Sequence, residues 1–252
     1  MILVRASLRI AGLALAGILF GTQGSAVECR NLTQGSNRFT ICEADPTQEV
    51  LRLFLRDDQG DVLGHFSAIQ SDLNPRNQTL QFAMNAGMYH DDRAPVGLYV
   101  QDGQQEMRVI PNAGPGNFGL LPNGVFCIRQ GRADVIETLT FIRQKPACRH
   151  ATQSGPMLVI DGALHPRFLP NSSSRYIRNG VGSSADGTRV VFAISRNPVT
   201  FHEFGSLFRD TLGLPQALYF DGKVSRLYAP QIGRDDPGFW MGPIVGVVAP
   251  RN

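Results

Sequence analysis

The sequence predicts an α+β fold: a single domain of mixed or antiparallel β-sheets with a few helices. Three observations carry that expectation. Short apolar runs with period-two alternation recur along the chain, turn pairs separate many of them, and one segment near the C-terminal end has helical periodicity with a cap at each end.

The strands come first. Leu51, Leu53 and Leu55 alternate with Arg52, Phe54 and Arg56, the two-residue period of a strand. Similar runs are QTLQFAM, PVGLYV, GVFCI, ADVIET, PMLVI, RVVFAIS, ALYF and PIVGVV. Asp102-Gly103, Asn123-Gly124, Asp161-Gly162, Asp186-Gly187 and Asp221-Gly222 read as turns between them, because Gly tolerates positive φ and Asp or Asn tolerates it better than most residues. The best-signalled helix begins after Thr200, with Glu203 three residues on as a capping box. Phe201, Phe204, Leu207, Phe208 and Leu212 share a face, and Gly213 with Pro215 ends it. A weaker helix is expected over 66–73.

The N-terminus reads as a cleavable export signal. Arg5 and Arg9 precede an apolar run from Ile10 to Phe20, and Gly24 and Ala26 occupy the small-residue positions before Val27. A membrane-spanning helix needs about 20 apolar residues, more than this run supplies. The expected organisation is therefore a signal peptide over 1–26 and one domain over 27–252, located in the periplasm or secreted, with no stable membrane insertion. Without the two leader arginines, 22 basic residues face 21 acidic ones. That balance, with no basic run interleaved with aromatics, excludes a nucleic-acid partner.

Cys29, Cys42, Cys127 and Cys148 permit three pairings. Short loops and the hairpin pattern around them favour Cys29–Cys42 and Cys127–Cys148. No CxxC pair and no paired histidine ligand spacing is present, so a zinc site is not expected.

Several familiar motifs fail their context. Gly114, Gly116 and Gly119 match GxGxxG in letters, but LLPNG follows in place of a helix, so a loop is expected there. There is no GxSxG elbow. His202-Glu203 lacks the second histidine of HExxH, and the five histidines are scattered. Asn31, Asn77 and Asn171 open N-x-[ST] sequons that chance explains.

Five segments form an ordered set: MNAGMYHDDRAPVGLYVQDG (84–103), NFGLLPNGVF (117–126), SGPMLVIDGALHPRF (154–168), SRYIRNGVGSSADGTRVVFAIS (174–195), and the capped helix followed by ALYFDGKVS (217–225). In order and spacing this set, over about residues 78 to 249, resembles the phosphodiester glycosidase family, and most of all its bacterial periplasmic members. The resemblance implies an exported hydrolase of glycosyl phosphodiesters acting in cell-envelope glycan metabolism. One departure stands out. Animal members read LDGGGS at the last motif, where this chain has Phe220-Asp221-Gly222-Lys223-Val224-Ser225.

The site residues follow from that match and from chemistry. Cleaving a sugar-1-phosphodiester needs a carboxyl group near the anomeric carbon, whose transition state is cation-like. It also needs donors for phosphate, which the arginine fork suits. Asp221 is the expected catalytic carboxylate and Arg178 the phosphate ligand. Asn85 is expected to orient the sugar, and Tyr89 to stack on it. Gly87, Gly155, Gly180, Gly222 and Ser225 complete the expected substrate-binding set. Asp91, Asp92 and Glu203 are candidates for a second carboxyl. No cofactor is required; a divalent metal at Asp221 is compatible with the sequence. Two rival readings stand beside the hydrolase: a non-catalytic glycan- or sugar-phosphate-binding protein, which Lys223 favours, and an envelope assembly or interaction factor. A cavity without converging Asn85, Arg178 and Asp221 would favour the last.

Overall fold

The computed structural model describes residues 27–251. The expected signal peptide lies outside the described residues. Among the described residues seventeen strands, numbered in chain order, form three antiparallel sheets. The first runs β1 (Glu28–Gln34), β2 (Asn37–Ala44), β13 (Val190–Ser195), β12 (Asn179–Ser183), β14 (Gln216–Asp221), β10 (Met157–Ile160) and β11 (Ala163–Leu164). The second runs β16 (Arg234–Asp235), β15 (Leu227–Ala229), β4 (Gln78–Asn85), β17 (Ile244–Pro250) and β3 (Val50–Phe54). The third runs β6 (Gln104–Met107), β5 (Tyr99–Gln101), β9 (His150–Ser154), β7 (Gly124–Arg129) and β8 (Arg132–Glu137).

Alternation along each strand explains how the sheets assemble. Phe192 and Ile194 of β13, Leu218 and Phe220 of β14, Phe82 and Met84 of β4, and Phe126 of β7 all enter one central core. The leucines 51, 53 and 55 enter it as well, so all three sheets share it. The alternate residues face outward, and each sheet covers that side with a helix. Ala193, Ala217 and Tyr219 meet Phe204 and Phe208 of the capped-helix segment. Phe54, Leu80 and Ile244 meet Phe66, Ile69 and Leu73 of α1 (Phe66–Leu73). Val125, Cys127 and Ala151 meet Phe141 of α2 (Thr138–Gln144). Burying both faces of these sheets is why Phe54 is as inaccessible as the leucines beside it.

Four details differ from the sequence expectation. α2 was not foreseen: Thr138, Thr140, Phe141 and Ile142 read as strand formers, but Glu137 accepts the Leu139 and Thr140 amides and caps a helix. The helix after Thr200 keeps its capping box but is α-helical only over Phe201–Ser206 (α3). It then widens to a π-helical turn over Leu207–Thr211, in which adjacent Leu207 and Phe208 are both buried. Only the end of PVGLYV pairs as β5. Asn123 is a buried structural residue and not a turn: its amide donates to Phe118 O (3.1 Å) and accepts the Thr138 hydroxyl (2.7 Å).

Both disulfides form as expected. Cys29–Cys42 joins directly opposed residues of the β1–β2 hairpin, and Cys127–Cys148 ties β7 to the segment that leads into β9. Among the described residues no helix is long and apolar enough to cross a membrane.

Candidate active site

Asp221 ends β14, and its orientation depends on an irregularity in the ladder. β14 pairs with β12 so that Gly180 opposes Tyr219 and Asn179 opposes Asp221. One step on β12 therefore spans two on β14, which makes Phe220 the extra residue of a β-bulge. Simple alternation would send Asp221 to the outer face with Ala217 and Tyr219. The bulge turns it to the face of Asn179 instead, toward the second sheet, where β4 ends in Asn85. Asn85 Nδ2 donates to Asp221 Oδ2 at 3.4 Å.

The carboxylate is held by its own turn as well. Lys223 N donates to Oδ1 (3.1 Å) and Val224 N to Oδ2 (2.8 Å). The Ser225 hydroxyl lies 3.0 Å from Asp221 O, 3.2 Å from Ile177 O and 3.3 Å from Asn179 Oδ1, so it closes the turn. Gly222 has no room for a side chain: a Cβ there would stand 2.2 Å from the Tyr219 hydroxyl.

Asp221 opens onto a cavity of about 660 Å³. Tyr89, Asp91, Asn117, Tyr176, Arg178 and Tyr219 supply its principal side chains. Arg178, 1% exposed, forms part of the wall. Its Nε donates to Val199 O (2.9 Å), its Nη2 donates to Ser174 O (3.1 Å), and its Cζ lies 3.7 Å from the centroid of the Phe201 ring. Nη1 is buried with no acceptor. Burial holds this guanidinium below the usual arginine range, opposed by the nearby Tyr219 and Tyr176 phenols. Burial raises the Tyr219 phenol, and Asp221 adds to that, while Arg178 pulls it down. Tyr89 is raised too, by burial first and then by Asp221. Both phenols therefore stand neutral as hydrogen-bond donors at ordinary pH.

The remaining expected residues divide into cavity and support. Gly87 lines the cavity at φ +146°, where a Cβ would meet the Thr152 hydroxyl at 2.9 Å. Asn85, expected to orient the sugar, is fully buried and does not line the cavity. Its Oδ1 accepts Arg226 N (2.9 Å) and Asn179 Nδ2 (3.0 Å), which leaves the amide committed to the protein, not to a sugar. Gly155 and Gly180 are close-packing positions, where a Cβ would meet Asn123 Cβ at 2.6 Å and Leu218 O at 2.4 Å. Ser225 braces the Asp221 turn. Among the candidate second carboxyls, Asp91 lines the cavity. Asp92 caps its own loop through Ala94 N, and Glu203 serves the capping box and pairs with Arg175 at 2.7 Å. Among the described residues no three His, Cys, Asp or Glu side chains group as a metal site.

Sequence reasoning missed Tyr176, Tyr219, Asn117 and the bracing Asn179. Tyr219 carried a usable signal, two residues before Asp221 in ALYFDG. The glycine-rich loop set aside as a failed motif forms a wall of the cavity through Pro115, Gly116, Asn117 and Phe118.

The model of the family described as "Phosphodiester glycosidase" matches residues 78–239, which span the bulged strand, Arg178 and the cavity loops. The chain belongs to the phosphodiester glycosidase family. An Escherichia coli K12 relative, the uncharacterized protein YigE, is 35% identical over 184 residues, covering 73% of this chain and 71% of its own. Two solved structures are among those that share the fold of this family member. One is the zebrafish N-acetylglucosamine-1-phosphodiester alpha-N-acetylglucosaminidase catalytic domain, auto-inhibited by its pro-peptide (TM-score 0.60, 11% identity, 90% of this chain and 85% of that one). The other is a putative exported protein of Burkholderia pseudomallei (TM-score 0.52, 12% identity, 84% and 74%).

Proposed function

We propose that the protein is an exported hydrolase that cleaves the bond between an anomeric carbon and a phosphodiester oxygen. One observation carries this reading: a carboxylate, Asp221, and an arginine with an unpartnered buried donor, Arg178, share the wall of one cavity. The first matches developing positive charge at the anomeric carbon, and the second matches the anionic leaving group. Water supplies the hydroxyl that replaces phosphate on the sugar, and its proton balances the phosphomonoester released. Asn85 and the Lys223 and Val224 amides keep Asp221 fixed without a rearrangement during reaction. Neutral Tyr219 offers a hydroxyl along the same wall. The two disulfides and the leader-like segment before Val27 support an oxidising compartment. Of the three residues expected to converge, Arg178 and Asp221 line one cavity and Asn85 stands behind Asp221; the shared cavity supports a small-molecule site over an assembly factor.

A binding protein without turnover is the second reading. Lys223 in the DG turn favours it, because it replaces a small residue of the animal pattern with a cation next to the carboxylate. Incubation with a UDP-sugar and with methyl N-acetylglucosamine-1-phosphodiester decides between them. Release of free sugar, lost in Asp221→Asn, is the expected result; tight binding with no release over many hours would leave the binder.

A further inference from the structure

The only tryptophan of the chain, Trp240, is tied through its carbonyl to the cavity residue Tyr89 and has half of its surface open (52%), next to an even more exposed Phe239 (87%). Its setting is built. Gly64 lies under the indole: a Cβ on Gly64 would stand 3.1 Å from Trp240 Cγ, and the backbone there has φ +66°, so glycine is required twice over. Met241 N donates to Gly64 O (2.9 Å), the Tyr89 hydroxyl donates to Trp240 O (3.4 Å), and the Arg226 guanidinium donates to Phe239 O. The ring is thus seated on one face, with its backbone anchored on both sides.

We infer that Trp240 is the stacking platform for a second sugar ring, so that the substrate class is an oligosaccharyl-1-phosphodiester and not only a monosaccharyl one. The inference rests on the functional reading above, and the order of groups along the wall gives its direction. Arg178 neighbours Tyr219, with Cζ 5.5 Å from its ring. The Tyr219 hydroxyl lies against Gly222, the residue after Asp221, and Tyr89 lines the same cavity as both. Tyr89 in turn donates its hydroxyl to the Trp240 carbonyl. Phosphate at Arg178 and the anomeric carbon at Asp221 place the first sugar toward Tyr89 and the next ring at Trp240, on the glycosyl side. A flat indole with one face packed on Gly64 and half of its surface open, joined through its backbone to the cavity residue Tyr89, suits the C–H face of a pyranose.

Because Trp240 is the sole tryptophan, its fluorescence reports the site directly. Methyl N-acetylglucosamine-1-phosphodiester and its trisaccharyl counterpart would be titrated against the full mature protein, with calorimetry for Trp240→Ala and Trp240→Phe. The trisaccharyl diester should shift the emission and bind about five- to tenfold more tightly than the monosaccharyl one, the scale of one aromatic contact. Trp240→Ala should reduce that ratio to within about twofold, and Trp240→Phe should retain most of it. Equal affinities in the wild type, or an unchanged ratio in Trp240→Ala, would overturn the platform even if both diesters are cleaved. If neither diester is cleaved, a Trp240-dependent shift with neutral chitotriose upholds the platform while the hydrolase reading fails; no shift with any of the three probes overturns it.

Discussion

Asn85 and Asp221, 136 residues apart in the chain, meet at 3.4 Å where the second sheet abuts the bulged strand of the first. The amide is buried, already serves Asn179 and Arg226, and presents its remaining donor to the carboxylate.

Asp221→Asn should reduce turnover of a glycosyl phosphodiester by about a thousandfold or more, since the charge is wanted only in the transition state. The melting temperature should change little, because Asn can still accept one of the two turn amides. Steady-state kinetics with thermal melts checks this. Unchanged turnover in a folded variant would remove Asp221 from the chemistry.

Asn85→Asp would place a second carboxylate against the first. Two such groups cannot both ionise freely, so the acidic limb of the pH–rate profile should move to higher pH. Asn85→Ala should instead leave the buried Arg226 amide and the Asn179 side chain short of an acceptor, which costs about 1–3 kcal/mol of stability. A pH–rate profile for the first and denaturant unfolding for the second separate positioning from packing.

Arg178→Lys keeps the charge and loses the planar fork. Affinity for a sugar phosphate should fall roughly tenfold to a hundredfold relative to the matching free sugar. Some stability should be lost as well, because the guanidinium also serves Val199 O, Ser174 O and the Phe201 ring. Calorimetry with both ligands reads the ratio, which a purely structural arginine would leave alone.

Glu49 offers a pH test away from the cavity. Burial raises its carboxyl to about 6, from an ordinary 4.5, and Oε1 has no partner. Between those values the folded chain holds a proton that the unfolded chain has released, so this group's contribution to stability falls as pH rises through the window. Glu49→Gln should therefore raise the melting temperature at pH 8, and the gain should vanish near pH 4. A gain equal at both pH values would contradict the assignment.

Replacing both Cys127 and Cys148 with Ala should destabilise the fold by about 3 kcal/mol, the loop-closure scale for a bridge of this span. Unfolding in denaturant, against the wild type with its bridges intact, measures it.

The fold was legible where burial acts through local periodicity: the leucines of β3, the hairpin cysteines and the capping box all read correctly. α2 was hidden because Thr138, Thr140 and Ile142 favour strands, and only the Glu137 cap tips the balance. Of the expected site residues, Gly87, Tyr89, Arg178, Asp221 and Gly222 do meet at one cavity, but how they are held was not legible. ALYFDG shows no mark of a bulge at Phe220, since a bulge is a mismatch between two strands and β12 supplies the other half. The bonds that bury Asn85 were not legible because its partners, Asn179 and Arg226, lie 94 and 141 residues away. Tyr176 and Tyr219 drew no reading from the sequence, although Tyr219 stands two residues before Asp221.

The position of β17 has a consequence for biogenesis. It is the last strand described, yet it lies between β4 and β3 in the second sheet. During synthesis or threading through a translocation pore, β3 and β4 emerge early and must wait, unpaired with each other, until residue 250 is free. The bed on which Asn85 meets Asp221 therefore closes last. A ribosome stalled, or a chain cut, a few residues short of that point should yield a protein with an open sheet edge, exposed to proteases and to pairing with other chains.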